Sequence, residues 1–153
     1  MKLEMVERQS IAWFKLSEFV TRGEKERAMS LLRLLTHSFD DRAYSRKLAA
    51  EILACFQDVQ ALDEYIQAAH LYRLQGDLIE AVSIYELLIL LEPETPEYYE
   101  KVIVFFQELG NTQKVLCYQK ELCTLLVHKG RVDKAIALFE AMQTELNSLE
   151  QVS

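Results

Sequence analysis

The sequence predicts an all-α fold of about eight antiparallel helices stacked as a short solenoid. Three observations lead there. Apolar residues recur at helical spacing, no segment alternates at period two for long, and no hairpin dipeptide such as Asn-Gly occurs. The 153 residues include only four glycines and two prolines, fewer than the turns of a sandwich or a doubly wound sheet require. The glycines, Gly23, Gly76, Gly110 and Gly130, each end an apolar-periodic segment. Glycine suits the left-handed residue just past a helix end, where a side chain costs about 1 kcal/mol.

Taken in order, the predicted helices are 2–22, 24–38, 41–56, 60–75, 77–91, 96–109, 112–129 and 131–147. Their short connections force neighbours antiparallel. In the first helix Met5, Val6, Ala12, Trp13, Leu16, Phe19 and Val20 share one arc, opposite Glu4, Glu7, Arg8, Lys15 and Glu18. Ile11 and Phe14 lie off that arc, either packed on a neighbouring helix or free to meet a partner. The second helix follows Gly23. The third follows a Phe39-Asp40-Asp41 turn with an N-cap, and the fourth follows Gln57-Asp58, a turn without glycine. The fifth follows Gly76-Asp77, with Asp77 as cap, and Ile79, Val82, Ile84, Tyr85, Leu88, Ile89 and Leu91 nearly encircle it. Pro93 closes that unit and Pro96 starts the sixth helix, where Tyr99, Val102, Phe106 and Leu109 form one face and Tyr98 and Phe105 another. Gly110-Asn111 opens the seventh. Gly130 opens the eighth, whose stripe is Val132, Ala135, Ile136, Phe139, Met142 and Leu146, before a frayed end at 151–153. One-sided end helices, 2–22 and 131–147, around two-sided inner ones are what a capped helical array requires.

Composition narrows the function. A net charge of −7 repels phosphate backbones, so nucleic acid is not an expected partner. The charged N-terminal residues lack the apolar run of a secretory signal, and no apolar stretch is long enough to insert in a membrane. Cys55, Cys117 and Cys123 read as buried, reduced thiols of a cytoplasmic protein. No phosphate-cradling glycine loop, GxSxG or HExxH is present, and His37, His70 and His128 fall on different helices. No catalytic residue, metal or cofactor is expected.

Segment 62–95 carries Tyr65, Ala68-Ala69 and Tyr72 on one helix, then Gly76, Ala81, Tyr85 and Pro93. At that spacing it resembles a tetratricopeptide (TPR) repeat, in which the small residues Ala69 and Ala81 allow close approach and the tyrosines fill the wedge beside them. Segment 96–129 repeats the phase through Pro96, Tyr99, Phe106 and Gly110, then departs where Val115 replaces a small residue and Gln119 an aromatic one. The resemblance implies that residues 1–153 form one domain of degenerate repeats, a TPR-like right-handed solenoid.

The resemblance implies a non-enzymatic protein-interaction scaffold or adaptor that receives a peptide segment or partner helix in a groove. The groove residues it implies are Ile66, Gln67, His70, Arg73 and Leu74 on the fourth helix, and Glu100, Lys101, Val104, Gln107 and Glu108 on the sixth. Lys101 and Arg73 stand there without the asparagine of the TPR subset that grips a C-terminal carboxylate. Size and acidity are also similar to those of small acidic TPR chaperones for secreted proteins. Gly130 to Met142 resembles part of a pentatricopeptide repeat, but a single copy on an acidic chain ranks RNA binding last.

Overall fold

The computed structural model describes the backbone of residues 2–152 and the side chains of residues 7–152. Met5 and Val6 of the predicted first-helix arc, with Glu4 on its opposite side, lie outside the described side chains. Eight helices make up the described residues: α1 (Lys2–Thr21), α2 (Lys25–Thr36), α3 (Arg42–Cys55), α4 (Gln60–Gln75), α5 (Leu78–Leu91), α6 (Pro96–Glu108), α7 (Thr112–His128) and α8 (Val132–Val152). No strand occurs among these residues, and none of the helices is long and apolar enough to cross a membrane. The fold of the described residues is all-α.

The helix ends follow from local chemistry. All four glycines take positive φ, and Gly76, at 86°, donates its N–H back to the Arg73 carbonyl. Gln57 does the same work at the end of α3 with φ 55°, a left-handed conformation in a residue that bears a Cβ. There the Leu53 carbonyl accepts from both Phe56 and Asp58. Asp41 caps α3 by accepting from the Tyr44 N–H at 3.0 Å, and Asn111 caps α7 from Lys114 at 3.1 Å. Asp77 occupies the N-cap position of α5 but makes no capping bond, contrary to expectation. The eighth helix runs on to Val152, past its expected end at 147 and into the residues expected to fray.

Two compact units divide the chain, one up to Gly76 and one from Asp77. In the first, α1 packs on α2, α2 on α3, and α3 most extensively on α4. Its core joins Leu16, Ala28 and Leu32 with Trp13, Phe19, Leu48 and Ile52 around them. Ala43, Ala50, Ala68 and Ala69 are each fully buried, so α3 and α4 approach closely because no bulk separates them. In the second unit α5, α6, α7 and α8 pack in sequence. An aromatic seam holds them. Tyr85 of α5 meets Phe105 and Tyr98 of α6 at ring centroids 5.7 and 6.2 Å apart. Tyr118 of α7 stacks on Phe106 at 5.9 Å, and its hydroxyl donates to Glu86 Oε1 at 2.7 Å. Burial, with the Glu86 carboxylate beside it, raises the Tyr118 pKa, so this phenol stays protonated and remains the donor.

Several expectations need correction. The fifth helix is not buried all round: Ile79 and Leu91 are exposed, because the apolar positions exceed what the neighbouring helices cover. The last helix does not bury its stripe either. Only Ala135 and Met142 are buried, while Val132, Ile136, Phe139 and Leu146 stand exposed along one flank. The three cysteines are free, but Cys55 and Cys117 are exposed and Cys123 is half-buried. Cys55 and Cys117 lie off the packed arcs, while the Cys123 thiol reaches the Ala135 carbonyl of α8 at 3.8 Å. Burial raises the Cys123 pKa.

Gln119, where the repeat pattern calls for an aromatic residue, is 3% exposed. Its Oε1 meets no donor among the described residues. An orphaned buried acceptor costs about 1–3 kcal/mol. Gln119→Met, of similar length and volume, is therefore expected to raise the urea midpoint of unfolding. A lowered midpoint would show that the amide is satisfied in solution.

Candidate protein-interaction surfaces

A cleft of about 790 Å³ lies within the first unit, between α2, α3 and α4. Its walls carry four cations, Lys25, Arg33, Arg42 and Arg46, against two carboxylates, Glu26 and Glu64. Met29, Phe39 and Leu71 add apolar surface. Two cations are committed. Arg46 Nη1 donates to both Glu64 oxygens at 3.0 and 2.9 Å, tying α3 to α4. Lys25 pairs with Asp58, which also accepts from the Gln60 N–H at 2.9 Å. Arg33 and Arg42 have no ion-pair partner among the described residues.

The Lys25–Asp58 pair sets a pH window. The ammonium hydrogen bond, then the Gln60 N–H, holds the Asp58 carboxyl below its ordinary 3.8, and the same ammonium bond raises Lys25 above 10.5. A lowered carboxyl contributes stability above its unfolded value and loses it as pH falls through the folded one. The raised amine contributes below its own unfolded value and loses it as pH rises through the folded one. Asp58→Asn is expected to lower the urea midpoint at about pH 7, with the gap to the wild type closing as pH falls below 3.8. A gap of constant size would show that the pair adds nothing.

The residues implied by the repeat resemblance are placed differently. On α4, Gln67, His70, Arg73 and Leu74 are exposed and Ile66 is half-buried. None of the five lines the cleft, which takes Gln60, Glu64 and Leu71 from the adjoining stripe of the same helix. On α6, Glu100, Lys101, Val104, Gln107 and Glu108 are all exposed. Their i, i+4, i+7 and i+8 spacing sets them on one side of the helix, opposite buried Val102 and Phe106. Gln107 also lines a smaller cleft of about 290 Å³ with Phe106, Val115 and Leu149. Ile11 and Phe14 on α1 are 63% and 72% exposed.

The cleft residues Met29, Arg33, Phe39 and Arg42 were not among those expected. A signal was present: residues 22–47 hold seven of the chain's seventeen Lys and Arg. Arg42 is also the first residue of α3, where the helix dipole disfavours a cation. Among the described residues no group of three His, Cys, Asp or Glu is placed to hold a metal.

No protein-family model matches the chain, and no curated protein matches its sequence. Two solved structures to which the chain shows a low similarity are crystal structures of MamA. One is 14% identical, covering 94% of this chain and 95% of that chain with a TM-score of 0.39. The other is also 14% identical, covering 88% and 96% with a TM-score of 0.40.

Proposed function

We propose that the chain is a non-enzymatic protein-interaction scaffold of TPR type, an adaptor that receives a peptide segment or partner helix against its exposed helix faces. The observation that carries this reading is apolar surface left uncovered at helical spacing. Ile11 and Phe14 on α1 and Val132, Ile136 and Phe139 on α8 are large, apolar and exposed. Uncovered apolar side chains of this kind anchor protein partners. The proposal includes a cytoplasmic setting, where three unpaired thiols persist.

Cross-linking in the native host, followed by affinity purification and mass spectrometry, tests it. Recovery of stable subunits at fixed stoichiometry supports an adaptor. One unstable client instead identifies a chaperone. Recovery of nucleic acid or of no stoichiometric protein contradicts the proposal.

A further inference from the structure

We infer that the cleft between α2, α3 and α4 is a docking site for an acidic peptide segment. Its carboxylates would meet Arg33 and Arg42, and an apolar side chain would lie on Met29 and Phe39. This deepens the protein-binding reading and rests on it.

Charge complementarity names the occupant. The chain carries −7 overall, yet the cleft walls hold four cations against two carboxylates. Its intramolecular ion pairs spend Lys25 and Arg46, leaving Arg33 and Arg42 without a described partner. Arg42 sits at the start of α3, where the local field opposes it, so the fold gains no helix-dipole stabilisation from that charge. A guanidinium presents a planar fork suited to a carboxylate. The cleft also offers a thioether and an aromatic ring, so a segment that mixes acidic and apolar residues matches more of its wall than a bare anion does. The negative charge of the whole chain disfavours a long polyanion, which places a peptide ahead of RNA.

Selection from a random twelve-residue peptide library on the intact protein tests this. The expected binders are net negative, carry at least one large apolar residue, and weaken as salt rises from about 50 to 300 mM. The double charge reversal Arg33→Glu with Arg42→Glu should weaken them more than ten-fold. Both side chains are exposed, so the fold should hold, which circular dichroism checks. Arg131→Glu, an exposed cation in the other unit, should leave binding within two-fold. Three results overturn the assignment: no acidic enrichment, equal binding to the reversed variant, or displacement of the peptides by poly-U at lower concentration than by a matched acidic peptide. A stoichiometric protein recovered by cross-linking, combined with any of these, would leave the scaffold reading intact and remove only the cleft.

Discussion

Replacing Tyr85 with alanine is expected to destabilise the second unit by about 3–5 kcal/mol. The ring is 8% exposed and lies between α5 and α6, where Tyr98 and Phe105 flank it. Alanine removes the ring and leaves a cavity that its two aromatic neighbours, both held by α6, cannot close. The cost therefore combines lost transfer energy with lost packing. Urea unfolding followed by far-ultraviolet circular dichroism measures it. A change below about 1 kcal/mol would show that the seam collapses freely and does not hold α5 to α6.

The second large effect belongs to the first unit. Leu32→Ala is expected to cost about 2–5 kcal/mol. Leu32 is 2% exposed and joins Leu16 of α1 to Ala28 of its own helix, with Leu48 and Ile52 of α3 packed against the cluster. One side chain thus spans three helices. The loss should appear as faster amide exchange in α1, α2 and α3. Unaltered exchange there would remove Leu32 from its assigned place. The two residues lie in different compact units, so the costs of the substitutions are expected to add within about 0.5 kcal/mol.

Much of the helix layout was legible because punctuation is local. A glycine with positive φ, a capping Asp41 or Asn111 and a proline at the first turn of α6 act on their own backbone, and sequence order alone places them. Coverage is not local. Helical spacing shows that Ile79, Ile136 and Phe139 are apolar, but it does not show which element covers them, and the structure leaves all three exposed. The cysteines were misplaced for the same reason: a residue type inclined to burial still follows its helix face. Asp77 shows another limit, since a suitable side chain at the right position does not ensure the hydrogen bond.

The α6 residues from Glu100 to Glu108, which the repeat resemblance implies as groove residues, are exposed on one side of a single helix. The cleft gathers residues from α2, the following loop, α3 and α4, including Arg33, Phe39, Arg42 and Leu71. No spacing rule on a single helix could bring these together. The repeat resemblance directed attention to one stripe of α4, while the concavity used the adjoining one.

Hydrogen exchange on the free protein and on its cross-link-verified complex tests most directly whether these helix faces exist to hold another protein. The account predicts a stoichiometric protein partner whose binding slows amide exchange along α2, α3 and α4 around Arg33 and Arg42. A complex that protects none of the exposed faces, or a chain that binds no protein at all, would contradict it.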